Sequence, residues 1–209
     1  MRRIPHIVLW VVIGLVSLTP TRGSADEPGE IRILMLMGDE VGGYHYFTSD
    51  LWEQQGWNLT STGLSPTLQP CNLGLPFHVD VLIRNIDDLT SYDCLAIMQS
   101  KAYTGHSHDD LLESPAALSL VQQAVAEGML VLATCGGVRV LAAADVIEGR
   151  TVTGYADYAQ EYIDAGAIYA GDGVPPIVDG NIMTSAHGRY YCQQITETMR
   201  AYFAAHPRR

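Results

Sequence analysis

Short apolar runs separated by segments with helical spacing constrain the fold of this chain more than any other feature. Residues 31–37, 94–98 and 130–134 are nearly uninterrupted apolar runs. Runs of this length without alternation are typical of strands buried on both faces of a sheet. Residues 115–126 carry apolar side chains at helical spacing. Alternating strands and helices predict an α/β fold, a mainly parallel sheet covered by helices on both sides.

Weaker patterns predict the remaining elements. Residues 44–55, 138–146, 157–165 and the C-terminal segment are predicted helices, residues 79–83 and 152–154 are predicted strands, and Asp179-Gly180 predicts a hairpin turn between residues 177–178 and 182–183. Residues 58–77 are rich in Ser, Thr, Pro and Gly, which predicts a long loop with room for one short strand. In a parallel sheet, ligands bind beyond the carboxyl ends of the strands. The residues that follow each strand are therefore the candidates for a site.

The balance of charge excludes two classes of partner. The chain has 12 Lys+Arg against 23 Asp+Glu, a formal net charge of −11, and Lys101 is its only lysine. Nucleic acids and anionic membranes bind through clustered positive charge, which such a chain lacks. We therefore expect a small-molecule substrate or ligand and no nucleic-acid partner.

The N-terminal segment has the pattern of a secretory signal peptide. Arg2 and Arg3 precede an apolar run over residues 7–18, and small residues lead to a predicted cleavage after Ala25. The run is too short to span a bilayer comfortably, although an uncleaved anchor is the alternative. We expect residues 1–25 to be removed, residues 26–209 to form one domain, and the protein to be exported to the periplasm or the medium without stable membrane insertion.

Export permits disulfides, and the chain has four cysteines to consider. Cys135 is a candidate working thiol, which leaves Cys71, Cys94 and Cys192, of which only two can pair within the chain. The sequence does not decide which of them pair.

Cys135 is the most informative residue because it follows the apolar run at 130–134 directly and precedes Gly136-Gly137. A nucleophile on a sharp strand-to-helix turn needs small neighbours, and the helix N-terminus that follows favours a thiolate and lowers its pKa. The alternative is a buried structural cysteine at a tight turn. The residues alone leave both interpretations open.

Several longer segments resemble one known family. Residues 127–137, 141–150, 153–155, 165–167 and 178–185 are similar to the ThiJ/PfpI (DJ) family of the class I glutamine-amidotransferase-like group. The resemblance implies a flavodoxin-like three-layer sandwich with Cys135 at a nucleophile elbow. It also implies that Gly136, Gly137 and Ser100 lie where substrate and oxyanion are bound, and that a homodimer is a common assembly.

The chain departs from the family pattern at three places. Gly136 stands where many members have a histidine after the cysteine, and Met98-Gln99-Ser100 stands where many have Pro-Gly-Gly. Gly42 takes the place of the acidic residue that bonds the cysteine, which makes Glu40, two residues earlier, the candidate carboxylate. Peptidase or glyoxalase activity therefore does not carry over from the family by motif alone.

Two loops offer a replacement for the missing histidine. His187 follows the last predicted strand and is our candidate base, with an ordinary loop histidine as the alternative. His106 and His108 lie in a loop that should overhang the elbow and contact substrate. Their His-x-His spacing beside Asp109 is compatible with metal binding but also with a helix cap, and we expect no metal and no cofactor.

The sequence thus predicts an exported cysteine-dependent hydrolase or lyase acting on a small carbonyl or amide compound. Cys135 is the nucleophile, His187 the base and Glu40 the carboxylate that controls the thiol. The alternatives are a non-catalytic ligand-binding protein and a redox-responsive thiol protein of the same fold. A Cys135 pKa below its ordinary value would favour catalysis or redox sensing, whereas an unlowered pKa would favour ligand binding.

Overall fold

The computed structural model describes residues 30–43, 45–70, 76–100 and 107–207, with the side chains of residues 69–70 excepted. The predictions made for residues 1–25, Cys71 and His106 lie outside this set.

Within the described residues, seven strands form the central sheet. These are β1 (Arg32–Leu36), β3 (Asn58–Gly63), β6 (Val81–Leu82), β7 (Cys94–Ile97), β8 (Leu130–Thr134), β11 (Ile177–Asp179) and β12 (Ile182–Ser185). Their order across the sheet is β11-β12-β8-β7-β1-β3-β6. All neighbours pair in parallel except β11 and β12, which form the predicted antiparallel hairpin. Two smaller sheets combine β2 (Glu40–Val41), β4 (Thr67–Pro70) and β5 (Phe77–His78), and β9 (Thr151–Val152) with β10 (Ile168–Tyr169).

Helices cover both faces of the central sheet. They are α1 (His45–Gln54), α2 (Asp109–Leu112), α3 (Pro115–Ala126), α4 (Val138–Ala143), α5 (Ala159–Asp164) and α6 (Gly188–Ala205). The alternation of side chains along β1 shows the two layers directly: Leu34 and Leu36 belong to the hydrophobic cluster that includes α3 and α4, whereas Ile33 and Met35 belong to the cluster that includes α1 and α6. The result is the predicted α/β three-layer sandwich.

The segment 58–77, predicted as a long loop with room for one short strand, contains the two strands β3 and β4 and the first residue of β5. Residues Asn58–Gly63 form the six-residue strand β3, which pairs with β1 along its length. One of its buried polar residues is hydrogen bonded: the Ser61 hydroxyl donates to Asp80 Oδ2 at 2.6 Å, and the Ser61 N–H donates to the same oxygen at 2.7 Å. The Thr62 hydroxyl is buried without a hydrogen-bond partner among the described residues, so hydrogen bonding accounts for only part of the polar composition of this strand.

Two further predictions were right in kind and too long in extent. The strand predicted over residues 79–83 covers only Val81–Leu82, and the helix predicted over residues 138–146 ends at Ala143. Asp145 adopts φ = 56° just beyond that helix, which stops it. No helix among the described ranges is both long enough and apolar enough to cross a membrane.

Candidate active site

Cys135 lies where β8 turns sharply into α4. Its backbone adopts φ = 55°, in the left-handed region that residues with a side chain rarely enter. Cys135–Gly137 form one short 3₁₀ turn between the strand and the helix. Strained backbone of this kind is typical of a nucleophile presented at the carboxyl edge of a sheet. The structure thus places Cys135 at the predicted elbow.

The two glycines after Cys135 are required by close neighbours. A Cβ on Gly137 would lie 3.0 Å from the Ile97 carbonyl oxygen, in the adjacent strand β7. A Cβ on Gly136 would overlap the hydroxyl oxygen of Ser107 and would lie 2.9 Å from Ser107 Cβ. The small residues predicted at the elbow are therefore explained by packing, and a role for Gly136 and Gly137 in binding an oxyanion stays a prediction.

The protonation of the Cys135 thiol differs from the prediction. Burial raises the pKa of Cys135 above its ordinary value, and a hydrogen bond with the Gly136 backbone opposes that rise without cancelling it. The side chain is 8 % exposed and α4 has only six residues. Loss of solvation outweighs the favourable backbone dipoles, so the resting thiol is protonated at neutral pH.

A buried pair of polar side chains lies directly against the elbow. Ser107 and His108 are 5 % and 2 % exposed. Ser107 Oγ lies 2.7 Å from His108 Nδ1 and 3.0 Å from Ser100 Oγ. His108 Nε2 lies 2.7 Å from the Met98 carbonyl oxygen. The loop predicted to overhang the elbow does so at these residues.

Ser100 is thus brought to the site, in a way the sequence does not indicate. Its hydroxyl bonds to Ser107, and its backbone forms an antiparallel bridge with Val41. The sequence predicts that the loop around Ser107 overhangs the elbow, but it does not single out Ser107 as the residue that contacts Gly136. Whether Ser100 binds an oxyanion stays a prediction.

Three tyrosines interact electrostatically with the Cys135 thiolate: Tyr155, Tyr158 and Tyr162, here called the tyrosine wall. The pKa of Tyr155 is raised, first by Asp157 and then by burial and Cys135. His187 caps the start of α6, and its ring centroid lies 5.7 Å from that of Tyr155 in an edge-on arrangement. The structure brings His187 to the tyrosine wall, and its action as a base stays a prediction.

The candidate acidic segment, Glu40 to Gly42, packs against residues 99–100. Glu40 begins β2 and is half-buried, with its backbone paired to residue 69. A Cβ on Gly42 would lie 2.9 Å from the Gln99 carbonyl oxygen and 2.8 Å from that of Ser100. Gly42 therefore fits because the backbones touch there, and control of the thiol by Glu40 stays a prediction.

Metal binding and disulfide formation can be checked for the described residues. Within them, no group of three or more His, Cys, Asp or Glu side chains could hold a metal ion. Both ring nitrogens of His108 are already hydrogen bonded. Cys94, Cys135 and Cys192 are free thiols, and Cys94 is buried.

The family model described as the DJ-1/PfpI family matches residues 31–200. The chain belongs to the DJ-1/PfpI family. The match lies inside the domain predicted for residues 26–209 and includes the elbow.

Two relatives match about half of this chain at low sequence identity. An uncharacterised protein of Archaeoglobus fulgidus is 29 % identical over 101 residues, which are 47 % of this chain and 59 % of the relative. Protein DJ-1 homolog D of Arabidopsis thaliana is 32 % identical over 101 residues, 47 % of this chain and 25 % of the relative. The matched segments thus span less than two thirds of these relatives.

The fold of the DJ-1/PfpI family is shared with solved structures at low identity. The ThiJ/PfpI domain protein from Brachyspira murdochii superposes with a TM-score of 0.71 at 18 % identity, covering 83 % of this chain and 99 % of that one. This likeness establishes a flavodoxin-like sandwich and leaves the chemistry to be argued from the site.

Proposed function

We propose that this DJ-1/PfpI family protein is a cysteine-dependent hydrolase or lyase acting on a small carbonyl or amide compound, with Cys135 as the nucleophile. The observation that carries the proposal is the strained backbone of Cys135, φ = 55°, at the strand-to-helix elbow. Such strain is kept only where the surrounding structure enforces it, and it clusters at active sites. A merely structural cysteine would be equally well buried in an unstrained conformation.

The chemistry open to Cys135 is addition to a carbonyl carbon. The sulfur forms a bond to that carbon while the C=O π electrons move to oxygen, which then takes up a proton. With an aldehyde this gives a hemithioacetal. With an amide the nitrogen leaves with a proton, and water releases the acid from the resulting thioester and returns the thiol.

A direct test compares Cys135→Ser with Cys192→Ser. Cys192 is a free, half-buried cysteine on α6 outside the elbow, which makes it a matched control. Turnover is measured on a panel of small aldehydes, α-oxoaldehydes and chromogenic amides. We expect Cys135→Ser to abolish turnover of whichever compound reacts, because a serine hydroxyl lacks the acidity of a thiol. Cys192→Ser should keep it. Equal turnover in wild type and Cys135→Ser would contradict the proposal.

The raised pKa of Cys135 favours a second candidate, a non-catalytic ligand-binding protein of the same fold. A protonated thiol is a weak nucleophile and is oxidised slowly, so it also disfavours the redox-responsive alternative. Absence of turnover over the panel, together with Cys135 that resists iodoacetamide at neutral pH, would favour binding over catalysis.

We also propose that the protein is exported and that residues 1–25 are its signal peptide. The support is the basic start, apolar run and small residues before Ala25. Mass spectrometry of exported protein should find an N-terminus at Asp26 or within about three residues of it. An intact Met1 in exported protein would restore the anchor alternative. Sedimentation of the same material tests the homodimer that the family resemblance implies.

A further inference from the structure

Polar side chains from three strand ends meet at the first turn of α6. Gln99, which follows β7, holds its carboxamide against Gly188, since a Cβ on Gly188 would lie 2.8 Å from Gln99 Oε1 and 3.2 Å from its Cδ. Thr134, at the end of β8, has its hydroxyl oxygen 3.5 Å from the same Cβ position. Ser185 ends β12 and pairs with Thr134 in register. These four residues are here called the α6 cluster.

The Ser185 hydroxyl lies on the side of the sheet that α6 covers. Side chains alternate between the two faces of a strand. Met183, two residues before Ser185, belongs to the hydrophobic cluster that includes α1 and α6, and so does Leu132, two residues before Thr134. The ends of β8 and β12 therefore direct both hydroxyl groups toward the start of α6.

Two members of the α6 cluster are buried without a partner. Gln99 is 6 % exposed and Ser185 is 0 % exposed. Among the described residues, Gln99 Nε2 and the Ser185 hydroxyl oxygen have no hydrogen-bond partner. A buried polar group left unpaired costs free energy, and such groups are few in native proteins. An amide nitrogen only donates, so what Gln99 lacks is an acceptor.

The first turn of α6 adds donors of its own. Its first intrahelical hydrogen bond runs from the Tyr191 N–H to the His187 carbonyl oxygen at 3.1 Å, so the N–H groups of Gly188 and Tyr190 point out of the helix end. Along α6, which is described over its whole length, the first turn holds no acidic residue, and the His187 side chain makes no capping hydrogen bond. The dipole of this 18-residue helix places about half a positive charge at that end.

The outer side of this turn is open to solvent and positively charged. Arg189 and Tyr190 are exposed, whereas Gly188 is buried. The Arg189 guanidinium lies over the Tyr190 ring, 5.5 Å from its centroid. A small anion can reach the helix end from this side, although the chain as a whole has a formal net charge of −11. The terminal torsion of glutamine is broad, so the Gln99 carboxamide can turn Nε2 toward such an anion.

We propose that the α6 cluster and the first turn of α6 form a binding site for a small carboxylate. The carboxylate oxygens accept hydrogen bonds from the helix N–H groups, from Gln99 Nε2 and from the Ser185 hydroxyl. Donors reach the site from two directions, the helix end and the sheet edge, which suits a planar group with two oxygens. The bound negative charge also completes the positive end of the helix dipole.

This site adjoins the elbow, which gives it a place in the proposed function. Thr134 directly precedes Cys135 in the chain. Tyr155, which interacts electrostatically with Cys135, also contacts the His187 ring just before α6. Resting on the proposed function, the inference narrows the substrate of Cys135 to a carbonyl compound that also carries a carboxylate, the class of the oxo acids.

The first test is a titration of the full-length protein with sodium acetate, followed by its backbone-amide NMR spectrum. Sodium chloride keeps the ionic strength constant, and acetamide serves as a neutral probe of the same shape. We expect the amide signals of Gly188 and Tyr190 to shift and saturate with acetate, and not to respond to acetamide. Shifts that do not saturate, or equal shifts with acetamide, would overturn the site.

Two variants identify the groups that bind. Gln99→Met removes the amide at nearly constant length and should weaken acetate binding about tenfold or more, the scale for a hydrogen bond to a charged group. Gly188→Ala should abolish binding, because its methyl group would meet the Gln99 carboxamide. The matched controls are Gln123→Met, an exposed glutamine of α3, and Gly173→Ala, which has nothing within 4 Å of its Cβ position. Unchanged acetate affinity in both test variants would overturn the site, and the same spectra show that each variant is folded.

The link to Cys135 is tested with two alkylating reagents of similar size. Iodoacetate carries a carboxylate and iodoacetamide does not, so the ratio of their rates cancels any general disturbance of the elbow. We expect Gln99→Met to lower the ratio of iodoacetate to iodoacetamide rates at Cys135 about tenfold, and Gln123→Met to keep it. An unchanged ratio would overturn the assignment to the substrate, even with acetate bound at α6. A Cys135 that reacts with neither reagent at any pH would instead overturn the proposed function.

Discussion

The contact between Gly136 and Ser107 predicts a specific cost for adding one methyl group at the elbow. In Gly136→Ala the new Cβ would overlap Ser107 Oγ and lie 2.9 Å from Ser107 Cβ. Ser107 cannot move freely, because its hydroxyl is bonded to His108 and its carbonyl to Arg139. Overpacking of a fixed site costs about 1–3 kcal/mol. We expect the free energy of unfolding to fall by that amount.

The assay is urea unfolding at neutral pH, with Gly173→Ala as the matched control. Gly173 has nothing within 4 Å of its Cβ position and no positive φ, so its substitution should change stability by less than about 0.5 kcal/mol. For a chain of this size each kcal/mol corresponds to a fall in Tm of about 2–4 °C, which thermal unfolding should reproduce.

A second substitution identifies the cause. Ser107→Gly removes both atoms that the Gly136→Ala methyl would meet, so the double variant should recover about 1 kcal/mol or more relative to the sum of the single variants. If Gly136→Ala is as stable as Gly173→Ala, or if the two substitutions simply add, the packing described for the elbow is wrong.

Three further perturbations test other parts of the structure. Gly154→Ala would place a Cβ 2.6 Å from the buried Tyr162 ring, and we expect a loss of about 1–3 kcal/mol in urea unfolding; no loss would contradict that contact. Asn181→Ala removes two hydrogen bonds from its amide to backbone carbonyls near the end of α3, at 3.0 and 2.8 Å, and should cost about 1–3 kcal/mol; a neutral result would contradict their importance. Burial lowers the pKa of His108 to about 4, so below about pH 6.5 the unfolded chain binds more protons than the folded chain. The contribution of His108 to the free energy of unfolding is therefore complete above about pH 6.5. About 3 kcal/mol of that free energy is lost as the pH falls to about 4. His108→Asn should flatten that part of the pH–stability curve, and identical curves would refute the assignment.

Most of the fold could be predicted because its central strands are unambiguous. The helix at Pro115–Ala126 and the strand at Leu130–Thr134 match their predicted bounds, since proline, glycine and apolar spacing mark their ends. Strand β3 could not be predicted in the same way. Its middle residues are polar, and the hydrogen bonds between Ser61 and Asp80, which lies 19 residues away in the chain, cannot be inferred from the sequence.

The candidate site was predictable only in part, for a physical reason. The position of Cys135 at an elbow could be predicted from its neighbours in sequence, since an apolar strand followed by a cysteine and two glycines is typical of a nucleophile elbow. The Ser107–His108 pair depends on contacts between residues far apart in the chain and on a hydrogen-bond direction fixed by the Met98 carbonyl. The pKa of Cys135 was mispredicted because backbone dipoles can be inferred from sequence, whereas the extent of burial cannot.

The absence of a histidine after Cys135 has a different meaning once the packing is known. From sequence alone, glycine at 136 suggests that a catalytic partner has been lost. In the structure no residue with a side chain fits there, because Ser107 already occupies the space and carries His108 with it. Glycine at 136 is therefore explained by packing against the loop, because the Ser107 side chain fills the space that a side chain at 136 would need. Restoring the familiar pattern by Gly136→His should then disrupt the elbow and not activate it, since the added side chain and Ser107 would need the same volume. A Gly136→His variant with the same free energy of unfolding as wild type would contradict this packing.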